Sequence, residues 1–429
     1  MGEWRESILV NILDTIESGQ RPVGGATTVS GEIPSLGGEN ISSNGRLVLD
    51  NIKKIPIDYF KIMNKGKLVG YEVLINKDGA NTGKVGYYNK DYENASINEH
   101  LFLLRGKADR VKQKYLYYSL LNNHGQIQIK NRITGSAQPG LSKEFVNYVK
   151  IYIPDNLYEQ EKIAEILTTI DNTIEQTEKI IAKYRRIKQG LLQDLLTKGI
   201  DENGNIRSEA THEFKDSPLG RIPVEWDIVP INSIGKIITG NTPSTNDLGN
   251  FGGNYLFVTP SDISGKEICK TERTLTDKGM KFTRIVPKNS ICVVCIGSTI
   301  GKIGIIKHEC ATNQQINTII CSENVDYNYI YYACLAYLKR QLDIEVGLQA
   351  VPIVNKNTFS TLLIPLMGKP EQVRISHILN KIDYSIKDEQ KYYNKLKAIK
   401  QGLMQDLLSG KVRVTHLLDK GGKSDECHP

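Results

Sequence analysis

The chain has 429 residues, 39% apolar and 24% charged, a composition suited to packed domains rather than wholesale disorder. Its formal net charge of +7 permits binding to a polyanion without requiring it. No apolar run approaches the ~18 residues needed to span a bilayer, and the opening MGEWRES lacks the charged-then-apolar pattern of an export signal.

Residues 1–152 read as a first domain of mixed strand and helix. The run VLINKDGANTGKVGYY, Val73 to Tyr88, predicts two strands joined by a tight glycine turn, ASINEHLFLL follows as strand, and a helical stretch is expected around Lys112 to Leu121. Residues 153–200 then read as one long helix. Residues 201–223, rich in Gly, Asn, Ser and Asp, read as a flexible linker. Residues 224–363 form a second α+β domain, with a helical stretch around Asn328 to Leu338. Residues 364–412 form a second long helix, and residues 413–429 a disordered tail.

The second half repeats the first. Glu159 to Leu196 aligns with Glu371 to Leu408 at an offset of 212, including KQGLLQDLL against KQGLMQDLL, and 19 of the 38 positions are identical. A repeat at half the chain length marks a duplicated protein rather than a solenoid. Within each helix, apolar residues recur every three or four positions in a narrow stripe, as in a coiled-coil seam. The seam residues are Ile163, Ile170, Ile174, Ile181, Ile187 and Leu191 in the first helix, and Ile375, Ile382, Ile386, Leu396, Ile399 and Leu403 in the second. Two helices each packed on its own domain would also explain the stripe; equal length and register favour packing against one another. Gly199 and Gly410 stand just past the helix ends, where a left-handed cap is expected. Gly190 and Gly402 lie inside, where a bend or a close backbone contact would account for them. Weaker echoes pair Trp4…Gly19-Gln-Arg-Pro22 with Trp226…Gly240-Asn-Thr-Pro243, and YLYYSLLNN with YIYYACLAY.

Little in the sequence suggests catalysis. Gly79 to Lys84 and Gly297 to Lys302 have three residues between the glycines where a phosphate loop has four, and Val85 and Ile303 follow the lysines where it has Ser or Thr. There is no Gly-x-Ser-x-Gly, no His-Glu-x-x-His, no Pro-Pro and no Gly-x-Gly cofactor turn after a clear strand. All seven cysteines lie from Cys269 onward, unlike a secreted disulfide framework, so the protein is expected to be reduced and cytoplasmic. Cys292-x-x-Cys295 sits in an apolar run and reads as strand core rather than a zinc site.

This arrangement resembles the specificity subunit of Type I restriction-modification systems. The paired EQ…I…IL…ID…KQGL(L/M)QDLL helices look like that family's two central regions, and FKDSPLGRIPVEW, Phe214 to Trp226, looks like the entry to its second target-recognition domain. The first copy lacks that entry phrase and begins near Trp4. The resemblance implies an α+β fold with two mixed α/β target-recognition domains, residues 1–152 and 224–363. They would be separated by two long antiparallel helices forming a coiled coil with pseudo-two-fold internal repeat. It also implies a non-catalytic protein of the prokaryotic cytoplasm that binds no cofactor and recruits two methylation subunits and the restriction subunits to a bipartite double-stranded DNA site. Each domain would read one half-site and the helices would set the gap, while the partner methylates adenine with S-adenosylmethionine. A coiled-coil scaffold binding only proteins is the competing expectation.

Base readout requires polar side chains on exposed turns. The candidates are Asn81, Thr82, Lys84, Asn98, His100 and Gln138 in the first domain, and Ser298, Thr299, Lys302, Asn313, Gln314 and Gln315 in the second. Each taken singly also fits a solvated turn residue. Residues 1–150 hold 20 Lys and Arg against 15 Asp and Glu, and residues 224–363 hold 13 against 12, so phosphate binding by the chain alone should be modest.

Overall fold

The computed structural model describes residues 3–27, 31–135, 137, 139–347 and 352–417. They divide into two compact units, residues 1–178 with 391–429 and residues 179–390. Each long helix, Leu157–Thr197 and Lys369–Leu408, is therefore shared, contributing one half to each unit.

In the first unit the strands are β1 (Trp4–Ile8), β2 (Leu13–Ser18), β3 (Ile33–Leu36), β4 (Lys54–Ile55), β5 (Lys67–Leu68), β6 (Val73–Asn76), β7 (Val85–Tyr87), β8 (Ala95–Ile97), β9 (Leu101–Gly106) and β10 (Lys150–Pro154). One sheet runs β2-β9-β6-β7 and is antiparallel. The other runs β4-β3-β8-β5, with β3 and β8 parallel. The apolar stretch of β6 is buried at every position, as expected of a strand covered on both faces. β1 pairs with β10 and brings the two ends of the domain together.

In the second unit the strands are β11 (Asp227–Pro230), β12 (Gly235–Thr239), β13 (Phe251–Val258), β14 (Glu267–Ile268), β15 (Arg273–Leu275), β16 (Ile285–Val286), β17 (Ile291–Val294), β18 (Ile303–Ile306), β19 (Cys310–Thr312), β20 (Ile316–Cys321) and β21 (Leu363–Leu366). The orders are β12-β20-β17-β18-β14 and β15-β13-β19-β16, with β13 and β19 parallel, and β11 pairs with β21. The strands of these sheets repeat those of the first unit one for one, with β14 added at one edge; outside them, among the described residues, the first unit has a short hairpin of Ile133–Thr134 with Gly140–Leu141 that the second does not repeat. The duplication read from the helices thus extends through both domains.

The helical stretches differ. The first spans Gln113–Leu121, breaks at Asn122 and resumes as Asn123–Lys130; the second runs unbroken from Tyr327 to Val346, longer than expected. Flanking hydrogen bonds locate the cause. Tyr115 donates its hydroxyl to Tyr152 O as Tyr329 does to Pro365 O, and Gln128 exchanges two hydrogen bonds with Lys150 as Gln341 does with Leu363. Between these anchors the first domain holds one residue more. A helix cannot absorb one extra residue without rotating everything beyond it by about 100°, so it opens, and the Asn122 side chain caps the restart through Gly125 N.

The halves of the long helices run antiparallel within each unit. In the first, Lys400 pairs with Asp171 and the Tyr393 hydroxyl donates to Glu178; in the second, Lys188 pairs with Asp383, and Glu371 accepts from Ile200 N. Each core includes the start of one helix and the end of the other: Ile163, Leu167, Leu407 and Leu408 in the first unit, and Ile375, Leu379, Leu195 and Leu196 in the second. Tyr118 and Tyr332 tie each domain to its helix by donating to Asp171 and Asp383.

Of the expected seam, Ile163, Ile174, Ile181, Ile375 and Leu396 are buried, and Ile170, Leu191, Ile382, Ile386 and Leu403 are half-buried. Ile187 and Ile399 correct the expectation, being 38% and 41% exposed. Ile187 lies six residues past Ile181, and six steps of about 100° turn it off the buried face. Lys188, seven past, holds that face by pairing with Asp383. Gly199 (φ 66°) and Gly410 (φ 76°) adopt the expected left-handed caps. Gly190 and Gly402 make no close contact, since a Cβ on either would meet open space.

The segment expected to be a flexible linker is anchored. Arg207 is buried and forms a two-pronged ion pair with Glu371, and Phe214–Lys215 pairs with Ile222–Pro223. The same device recurs after the second long helix: Arg413 grips Glu159 through Nε and Nη2, both at 2.7 Å, and Val414 is buried. The expected disordered tail is thus docked at its start; residues 418–429 lie outside the described residues. No described helix is long and apolar enough to cross a membrane.

Candidate nucleic-acid interface

Each domain brings three short segments together at equivalent places. The first is the glycine turn. In one domain Gly83 N donates to Asn76 O and Asn76 N to Lys84 O; in the other Gly301 N donates to Val294 O and Val294 N to Lys302 O. Gly79, Gly83, Gly297 and Gly301 all have positive φ, between 79° and 92°, which a glycine adopts without strain. Gly79 N and Gly297 N donate to Pro139 O and Pro352 O, tying each turn to the segment before β10 or β21.

The second segment follows the parallel strand. Asn98 N donates to Leu36 O, and Asn313 N donates to Val258 O at 3.0 Å. The Asn98 side chain accepts from His100 N, and the Asn313 side chain accepts from Gln315 N. Two residues on, the carbonyls of His100 and Gln315 accept from Lys77 N and Cys295 N, next to the glycine turns. These backbone bonds set the two segments side by side.

The third segment is Gly-x-x-Pro, residues 19–22 and 240–243. Gly19 lies so close to β8 that a Cβ would fall on the carbonyl oxygens of Ile97 and Asn98; at Gly240 it would fall on those of Thr312 and Asn313. The missing side chain lets Arg21 reach Glu99 at 2.8 Å and lets the Thr242 hydroxyl donate to Gln314 Oε1 at 2.7 Å.

The frame is shared and the side chains on it are not. In the first domain His100 Nδ1 meets Asp78 Oδ1 at 2.6 Å, its Nε2 lies 3.2 Å from Glu99, and Glu99 pairs with Arg21. In the second the cluster is uncharged: Thr242 with Gln314, and Asn313 donating Nδ2–H to Gln315.

The expected residues fall into two groups. Asn81 donates to Gly38 O, Thr82 donates to Gly79 O, and Asn98 and Asn313 are occupied as above, so these four shape the turns. Ser298, Gln314 and Lys302 are exposed, Lys302 reaching Pro260 O at 3.3 Å. Lys84, His100, Thr299 and Gln315 are half-buried at the rim. Gln138 lies outside the described residues. Sequence reasoning noticed the repeated Gly-x-x-Pro but did not place Arg21 and Thr242 at the site; the motif itself was the signal.

Cys292 and Cys295 are core residues, buried in and beside β17, and burial pushes both thiols up to about 12, so they stay protonated near neutral pH. Among the described residues no three His, Cys, Asp or Glu side chains gather as a metal site.

Comparison with known proteins bears on the chain as a whole. The family described as Type I restriction modification DNA specificity domain matches twice, over residues 1–184 and 223–398. The MjaVIII specificity subunit of a Type I restriction enzyme from Methanocaldococcus jannaschii is 27% identical over 372 residues, covering 84% of this chain and 83% of that protein. The MjaIX specificity subunit of the same organism is 33% identical over 189 residues, 42% of this chain and 43% of the relative. In structure, the Type I restriction-modification S subunit from M. genitalium superposes with a TM-score of 0.63 at 15% identity, covering 95% of this chain and 96% of that one.

Proposed function

The chain belongs to the Type I restriction modification DNA specificity family, and from that premise we propose that it is the DNA-reading subunit of a Type I restriction-modification complex. It selects the site and leaves the chemistry to its partners. Each domain reads one half of a bipartite, asymmetric duplex site with the turn cluster described above, and the paired helices set the unread gap and recruit methylation and restriction subunits. The observation that carries this reading is the doubled frame, in which the same three turns recur with the same backbone bonds and different side chains. Two readers alike in build and unlike in surface are what a split, asymmetric site requires.

In this reading Arg21, Glu99, His100 and Lys84 face the first half-site, and Ser298, Thr299, Lys302, Gln314 and Gln315 the second. Asn81, Thr82, Asn98 and Asn313 hold the loops that present them. Arginine or lysine suits guanine O6 and N7, glutamine suits adenine, and a carboxylate accepts from cytosine N4. The lysines also suit phosphates, though the near-neutral balance of the second domain leaves much of that work to partner subunits.

The test is co-expression with the cognate methylation subunit in a methylation-free host, followed by methylome sequencing. A bipartite modified-adenine motif is expected. The paired substitutions Asn81→Ala with Lys84→Ala, and Thr299→Ala with Lys302→Ala, should each weaken modification of the cognate site; no effect from either pair would remove the glycine turns from the DNA face. Four residues inserted in one long helix, about 6 Å of rise, should lengthen the gap by one to two base pairs of about 3.4 Å. No motif at all would favour the protein-only scaffold.

A further inference from the structure

The break at Asn122 has a consequence beyond the fold. In the second unit the unbroken helix carries Tyr337 onto the end of the first long helix, where its hydroxyl donates to Leu196 O at 2.6 Å and its ring packs in the core that includes Leu192 and Leu196. The last carbonyls of a helix have no partner within it, so Tyr337 both fills the space and satisfies an orphan acceptor. In the first unit the corresponding helix end offers Met404 and Leu408, at the 212-residue offset from Leu192 and Leu196. No tyrosine of the corresponding helix arrives there: the extra residue turns the chain aside, Asn123 and His124 stand at the rim, and the one tyrosine lining the space, Tyr152 on β10, leans on the His124 ring at 5.5 Å rather than on the helix end. What remains is a cleft of about 640 Å³ whose exposed wall is mostly apolar, with Met404, Leu408, Ile127 and Ile151 on it and Lys397 and Lys400 among its polar edge. Ile127 is left 49% exposed on its wall.

We propose that this cleft is a seat for a tyrosine side chain presented by the methylation subunit, so that a partner residue supplies in the first unit what Tyr337 supplies in the second. The other copy of the repeat specifies the occupant. It shows which ring fits between these helix-end side chains, and it requires a hydrogen-bond donor at the ring's far end to meet the carbonyl of the last turn. A purely aliphatic or phenylalanine occupant would fill the walls and leave that acceptor unmet, at a cost. An exposed apolar cleft with one hydrogen-bonding requirement has the character of a hot-spot pocket. The proposal rests on the preceding reading only for the partner's identity.

The test uses the full chain with 13C-labelled methionine methyl groups. Titration with N-acetyl-tyrosinamide should move the Met404 methyl resonance saturably and leave those of Met63, Met280 and Met367 in place, while N-acetyl-phenylalaninamide should bind at least five-fold more weakly. Gln405→Trp, a substitution on the cleft rim, should abolish the response. In the complex with the methylation subunit the seat should be filled, so the probe should no longer shift Met404. No saturable shift, or equal binding of the two probes, overturns the seat. Unchanged probe binding in the assembled complex overturns the occupant. Failure of any complex to form would instead strike the functional reading, because the titration of the free chain stands independently of it.

Discussion

The two candidate interfaces share one backbone frame and differ in most of the side chains it carries. In the first domain the frame carries a chain of acidic and basic side chains, Asp78 to His100 to Glu99 to Arg21, and in the second the positions of Asp78, His100, Glu99 and Arg21 carry Ile296, Gln315, Gln314 and Thr242. The bonds that hold the frame come from backbone amides and carbonyls and from the asparagine that both domains keep, Asn98 and Asn313, while two glycines that tolerate no Cβ allow the close approach. The displayed side chains can therefore change without disturbing the fold. Under the proposed function, that separation would let a duplicated chain acquire two unlike specificities.

The frame is where the comparison is broken most severely. Gly19→Val or Gly240→Val forces a side chain onto two carbonyls, and each should destabilise its own unit by about 3 kcal/mol or more. Urea denaturation should show the loss, and a value below 1 kcal/mol for both would mean that the close approach is not needed. Next come the ion pairs that close each unit. Arg207→Ala leaves the carboxylate of Glu371 buried and unpaired and should cost about 3 kcal/mol. Arg413→Ala leaves the fully buried carboxylate of Glu159 without its partner and should cost about 2–3 kcal/mol, eased where water enters past the Arg413 side chain, which is 31% exposed. A loss below about 1 kcal/mol in either variant would show that its carboxylate does not depend on the ion pair.

Smaller effects sharpen the comparison. In the assembled complex, Arg21→Ala should weaken binding by about 1–3 kcal/mol at the first half-site alone, and Gln314→Ala should do the same at the second. Competition binding on DNA mutated in one half-site at a time measures both. If either substitution relaxes the half-site assigned to the other domain, the division of labour fails. Least of all, Gly190→Ala and Gly402→Ala should each stabilise the isolated chain by up to about 1 kcal/mol, since both are helix-interior glycines facing open space. A raised Tm with normal complex assembly would show that neither glycine serves a partner.

Much of this protein was legible in its sequence because duplication leaves local marks. The 212-residue offset located both long helices, the glycine caps marked their ends, and the Gly-rich stretch 79–84 announced a turn between strands. Binary patterning identified Cys292 and Cys295 as core. The DNA-facing candidates came only as a mixed set, because a sequence shows that Asn313 is polar but not that its side chain is already used by Gln315. Likewise the apolar stripe admitted Ile187 to the seam, since an average spacing does not track the rotation accumulated between particular residues.

What the sequence determined by itself is the plan: two copies, each a mixed α/β domain followed by a long helix, with no catalytic constellation that repeats. These features rest on periodicity and composition, which act over a few residues. Only the tertiary structure decided that residues 201–223 are anchored by Arg207, that Gly-x-x-Pro belongs to the candidate interface, and that one extra residue near Asn122 opens a cleft where Tyr337 closes its counterpart. Each of those depends on groups far apart in the chain meeting within a few ångströms, and no local pattern records such a meeting.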